Sequence, residues 1–218
     1  MPARLVNLVS EQFYHVYNRG NNKEPIFFAP QNYRFFLKRF ATYFPGVEAE
    51  VHAYCLLPNH YHLLIRLLRD FDYSTRMQHF SISYAKSVNK WAGRVGHLFQ
   101  GRFKAKLVGS TEYLLQLSRY MHLNPVVAAL VKAPEDWQYS SYREYMSSMV
   151  DSRNLRETSG EISGIYTRPL VTTEFILSHF GDRKDYRSFV ESNAGCRMDE
   201  MEEDLWKEGE SLQDPICL

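Results

Sequence analysis

The stretch EVHAYCLLPNHYHLLIRLL, residues 50–68, consists of two apolar runs on either side of Pro58-Asn59. Runs of this length, rich in Val, Tyr, Leu and Ile and interrupted by turn residues, predict strands over Glu50–Leu57 and His60–Leu68, joined as a hairpin. Side chains alternate between the faces of a strand, so His60 and His62 project together while Tyr61, Leu63 and Ile65 project the other way. The pattern predicts a half-buried strand that exposes both histidines opposite its apolar face.

Working outward, Gln12–Asn18 alternates aromatic and polar residues and predicts a strand, with a turn at Arg19-Gly20-Asn21-Asn22. Gln31–Tyr43 carries Phe35, Phe36, Phe40 and Tyr43 at helical spacing and stops at Phe44-Pro45-Gly46. A second helix is predicted over Ser74–Ala92, broken near Gly93 and Gly96, and a further strand over Arg102–Val108. Ser110–Asn124 predicts a third helix: Ser110 or Thr111 can cap it, Glu112 favours its first turn, and Pro125 ends it. The order β-α-β-β-α-β-α points to an α+β fold, a ferredoxin-like split βαβ with a four-stranded antiparallel sheet and one extra helix.

This main domain is expected over residues 1–146, with Trp137, Tyr139, Tyr142 and Tyr145 tucked against it. A polar linker is expected over 147–168, then a small helical extension over 169–195 with helices at Glu174–Phe180 and Lys184–Val190. Residues 196–218 form an acidic tail, expected to be disordered.

Across 218 residues, 15% are aromatic and 44% hydrophobic, which excludes disorder for the bulk of the chain. No apolar run reaches the ~18 residues of a membrane helix, and no signal peptide is evident. The cysteines, Cys55, Cys196 and Cys217, form neither a disulfide framework nor a CxxC pair, and the expected compartment is the cytoplasm. The net charge of +1 is unevenly spread: up to Pro134 there are 17 Lys and Arg against 7 Asp and Glu, and afterwards 9 against 18. A basic body with interleaved aromatics suits a nucleic-acid partner, although a solvated surface with an acidic tail has the same composition.

Two imidazoles on one rigid strand suit a divalent metal, completed by a third protein group or by waters. A bare His-x-His also occurs as two unrelated surface histidines. On the third helix, Tyr113, Leu117, Tyr120 and Asn124 form one stripe, which places Tyr120 one turn from the amide of Asn124. Such a stripe is more commonly core.

Several blocks taken in order resemble the REP-associated tyrosine transposases, within the single-tyrosine HUH transposases. They are Tyr14-His15-Val16-Tyr17-Asn18-Arg19-Gly20, Leu57-Pro58-Asn59-His60-Tyr61-His62-Leu63-Leu64, Leu98-Phe99-Gln100-Gly101-Arg102-Phe103-Lys104 and Arg119-Tyr120-Met121-His122-Leu123-Asn124-Pro125-Val126. Trp137-Gln138-Tyr139-Ser140-Ser141-Tyr142 continues the series, so that the resemblance covers about residues 11–146. It implies that Tyr120 is a nucleophile, that His60 and His62 are metal ligands and that Asn124 is the third. Tyr61 stands where the family usually has an aliphatic residue, and Tyr113 is the stronger rival to Tyr120.

The implied chemistry is cleavage and joining of single-stranded or hairpin DNA through a 5′-phosphotyrosine bond, assisted by Mg²⁺ or Mn²⁺. The protein would act as a monomer or homodimer, nucleoid-associated when bound to DNA, with Tyr120 serving its own subunit or a partner's. Arg102, Lys104 and Lys106 are expected to share a strand face beside Gln100 and Arg119; with Asn18 and Arg19 they are the candidate DNA contacts. Two other readings fit the residues: a catalytically silent nucleic-acid-binding module, and a single-metal phosphodiesterase that uses water.

Overall fold

The computed structural model describes residues 8–147 and 170–192. Its sheet has four antiparallel strands, β1 (Phe13–Arg19), β2 (Ala49–Leu57), β3 (His60–Leu67) and β4 (Lys104–Val108), in the order β2-β3-β1-β4. With α1 (Pro30–Tyr43), α2 (Tyr73–Ala92) and α3 (Thr111–Val127), this is the expected split βαβ with an added helix. After α3 come a short 3-10 turn and α4 (Tyr142–Met146), then α5 (Glu174–Leu177) and α6 (Arg183–Glu191). The expected linker and acidic tail lie outside the described residues, apart from Ser147. Among the described residues, no helix is long and apolar enough to cross a membrane.

The β2–β3 hairpin forms as expected, with Leu57 opposite His60 across Pro58-Asn59. Pro58 O is held by the N–H groups of Ile26 and Phe27 at 2.8 and 3.0 Å. On one face of the sheet Tyr61 packs 4.9 Å from Phe36 of α1, which in turn meets Phe80 and Tyr84 of α2. On the other face α3 lies over His62, with the Tyr120 ring 5.3 Å away. Helices therefore cover both faces, a layering that buries apolar surface on each side of the strands.

Three expectations are corrected. The histidine face is not exposed: His62 is 0% and His60 8% accessible, because α3 covers it. Pro125 does not end α3, which runs to Val127, and Ala128 N still donates to Asn124 O at 2.8 Å. A proline this close to the end of a helix forfeits one backbone bond while later N–H groups continue the ladder. The last strand starts at Lys104 rather than Arg102, because Phe103 turns inward against Tyr73. Ser110 is the cap of α3, accepting from Tyr113 N at 3.2 Å.

Trp137, Tyr139, Tyr142 and Tyr145 do pack against the domain, and α6 docks on α3. A directional chain of hydrogen bonds fastens these parts. Tyr54 N donates to Ser141 Oγ at 2.9 Å, and Ser141 Oγ lies 2.8 Å from His122 Nε2. His122 Nδ1 lies 2.8 Å from the Tyr186 hydroxyl, which donates to Ser118 Oγ at 3.2 Å, and Ser118 donates to Leu115 O at 2.7 Å. Each hydroxyl thus gives one hydrogen and accepts another, which is how a buried polar cluster avoids the cost of orphaned groups.

Candidate active site

β3 places His60 and His62 on the same sheet face, with ring centroids 4.9 Å apart. α3 brings Tyr120 onto His62 edge-on, at 83° between ring planes. Asn124, 3% exposed, follows Tyr120 by one helical turn, and its Nδ2 has no hydrogen-bond partner among the described residues. His60 and His62, and Tyr120 and Asn124, to which the resemblance assigns ligand and nucleophile roles, thus come from two elements that pack face to face.

The tautomer of His60 follows from its neighbour. Asn59 Nδ2 donates to Lys23 O at 3.1 Å, which leaves Asn59 Oδ1 facing His60 Nδ1 at 2.6 Å. An amide oxygen only accepts, so His60 Nδ1 carries the hydrogen and Nε2 carries the lone pair. His62 Nδ1 lies 2.9 Å from His15 Nε2 of β1, and His62 Nε2 is a fully buried nitrogen with no hydrogen-bond partner among the described residues. Burial and the Arg19 charge push His60 down to about 4. Burial, followed by the neighbouring His60 and His15, holds His62 well below the usual imidazole range. Both rings are therefore neutral at physiological pH, the form in which imidazole binds a metal.

Among the described residues, no three His, Cys, Asp or Glu side chains cluster to hold an ion. Two neutral imidazoles supply borderline nitrogen donors and an amide with waters supplies oxygen donors, a mixed set that can hold a divalent cation, and the orphaned His62 Nε2 fits that role. Among the described residues no cysteine thiolate joins them, as a cysteine-based structural zinc site would require.

The candidate DNA contacts separate into groups. Lys106 and Lys104 lie opposite His15 and Tyr17 across β1–β4, on the histidine side of the sheet. The Lys106 ammonium sits 4.9 Å over the Tyr113 ring. Arg19 hydrogen-bonds Gln100, and Gln100 N donates to Arg19 O at 3.0 Å, joining the first and third sequence blocks beside His60. Arg102 is exposed but precedes β4, so the strand does not fix its direction.

Two of the candidates are engaged elsewhere. Asn18 is 4% exposed; its Nδ2 donates to Gly101 O at 3.1 Å and its Oδ1 accepts from Arg19 N at 2.9 Å. Arg119 is buried under α6, its guanidinium bonded to Ser192 O and 5.4 Å from the Phe189 ring. His15 and Asn59, which no spacing rule marks, are the residues that the sequence reading gave no role. Their only signal is a place inside the quoted blocks. His122 and Ser141 have nucleophile–base spacing, but both are fully buried within the structural chain described above.

The family described as "Transposase IS200 like" matches residues 8–124, more than half of the chain. A Haemophilus influenzae protein assigned to the REP-associated tyrosine transposases is 29% identical in an alignment 103 residues long that covers 43% of this chain and 58% of that protein. The chain thus spans less than two thirds of that relative's length. A solved REP-associated tyrosine transposase bound to a REP hairpin superposes with a TM-score of 0.54 at 22% identity, over 67% of this chain and 85% of that one. That likeness is one of fold.

Proposed function

The chain belongs to the IS200-like transposase family, and from that premise we propose that it is a REP-associated tyrosine transposase that cuts and rejoins single-stranded or hairpin DNA through Tyr120. The observation that carries this reading is the packing of the Tyr120 ring against His62, 5.3 Å between centroids. In the step proposed, the phenol oxygen of Tyr120 bonds to the scissile phosphorus and gives up its proton. The bond from phosphorus to the 3′-oxygen breaks, and that oxygen takes up a proton as a free 3′-hydroxyl. The 5′-phosphotyrosine conserves the phosphodiester, so a second 3′-hydroxyl can displace Tyr120 and join strands without ATP.

His60 and His62, through Nε2, and Asn124, through its amide oxygen, are the residues that would hold Mg²⁺ or Mn²⁺. Such an ion would polarise the scissile phosphate and offset the charge that develops on it. Lys104 and Lys106, with Arg19, Gln100 and Arg102 nearby, would bind the phosphate backbone. Tyr120 is 1% exposed, so the side chains covering it must part before DNA enters.

That closed hydroxyl favours a second reading, a hairpin-binding module without catalysis. Incubating the protein with a labelled hairpin in Mg²⁺ or Mn²⁺, and again in EDTA, separates the two. A protein–DNA adduct that forms only with metal, and is lost in Tyr120→Phe, supports the transferase. A mobility shift without any adduct supports the binding module.

A further inference from the structure

The Nδ1 of His62 and the Nε2 of His15 lie 2.9 Å apart, and both rings are fully buried. One hydrogen lies between these two nitrogens, so only two arrangements of the neutral pair exist. If His15 donates, His62 must carry its own hydrogen on Nε2 and has no lone pair to offer there. If His62 donates, its Nε2 is left bare. We propose that His15 is a positioning residue: it accepts the hydrogen from His62 Nδ1 and keeps the His62 Nε2 lone pair turned toward the cation.

Several observations support this arrangement. Among the described residues, His62 Nε2 and His15 Nδ1 are both buried without a hydrogen-bond partner, so either tautomer pair leaves one buried N–H orphaned, and only the pair with a bare His62 Nε2 can bind a cation. The His62 ring is confined between Tyr17, at 6.2 Å, and Tyr120, at 5.3 Å, which leaves His15 as the polar partner of Nδ1. His15 itself is held 4.7 Å from Tyr17 on β1, a strand hydrogen-bonded to β3, so the acceptor is part of the sheet. His60 provides an internal comparison: its Nδ1 meets the amide oxygen of Asn59, which forces the same tautomer. The two ligands would then be oriented alike by different acceptors, an amide oxygen for one and an imidazole for the other. A partner of this kind fixes the ring of a metal-binding histidine and raises its basicity.

The inference rests on the metal-holding reading given above, and its test separates the two. In metal-free protein labelled with ¹⁵N-histidine, two-bond ¹H–¹⁵N correlations should show His62 protonated at Nδ1. Manganese binding, followed by electron paramagnetic resonance, should weaken about 10- to 100-fold in His15→Phe. His15→Gln, whose amide oxygen can accept the same hydrogen, should recover most of that loss. A His62 protonated at Nε2 in the unmutated protein overturns the proposal, whether or not the variants fold. So does a folded His15→Phe that binds Mn²⁺ as tightly as the parent. If the unmutated protein binds no Mn²⁺, or binds it equally well as His62→Ala, the metal reading fails and the tautomer alone decides the part of His15.

Discussion

Asn59 Oδ1 stands 2.6 Å from His60 Nδ1, while the other end of the same amide is fixed on Lys23 O at 3.1 Å. The hairpin turn that starts β3 therefore also sets the orientation of the first histidine. Asn59→Ala should keep the fold and weaken Mn²⁺ binding by about 10-fold, measured by titration, whereas Asn59→Asp, which keeps the acceptor, should lose less.

Tyr113 and Tyr120 share the stripe of α3 but not the same surroundings. Tyr113 lies under the Lys106 ammonium, whereas Tyr120 lies against His62. Covalent capture of a labelled hairpin should vanish in Tyr120→Phe and persist in Tyr113→Phe. The opposite result would move the nucleophile two turns along the helix.

The basic residues should divide by their place in the fold. Lys104→Ala and Lys106→Ala should each lower the slope of log affinity against log salt by about 1 in magnitude, as loss of one phosphate contact requires. Arg119→Ala should leave that slope unchanged and instead destabilise the protein by about 2 kcal/mol, because its buried guanidinium holds Ser192 O. Filter binding and denaturant unfolding provide the two measurements.

His122 is fully buried, and its pKa is pushed down to about 3 by burial, from 6.5 when exposed. Between those values the unfolded chain binds a proton that the folded one refuses. Stability is therefore lost as pH falls below about 6.5, by at most about 1.4 kcal/mol per pH unit for this one group. His122→Gln should flatten that share of the decline, read as the difference between the two proteins in unfolding free energy at pH 7 and pH 5.

Gly20 admits no side chain. A Cβ there would lie 1.9 Å from the backbone oxygen of Glu24, and Gly20 N donates to Asn59 O at 2.8 Å. Gly20→Ala should cost about 1–3 kcal/mol in thermal unfolding and, by shifting Asn59, should also weaken Mn²⁺ binding.

The order of strands and helices, the two-residue hairpin, and the shared face of His60 and His62 were all legible along the chain. Each follows from a local rule, a period of two in strands or of 3.6 in helices, that holds wherever the segment ends up. The one-turn spacing of Tyr120 and Asn124 along α3 was legible for the same reason. What covers a face is not local. The histidines are closed in because α3 returns across the sheet, and His62 meets a partner 47 residues earlier only because β1 lies between β3 and β4. Arg119 reads as a candidate DNA contact until α6 packs over it, and Asn18 reads as one until Gly101 accepts its amide hydrogen. Periodicity determines which way a side chain points along its own element; burial and hydrogen-bond partners come from remote segments that meet only in the folded chain.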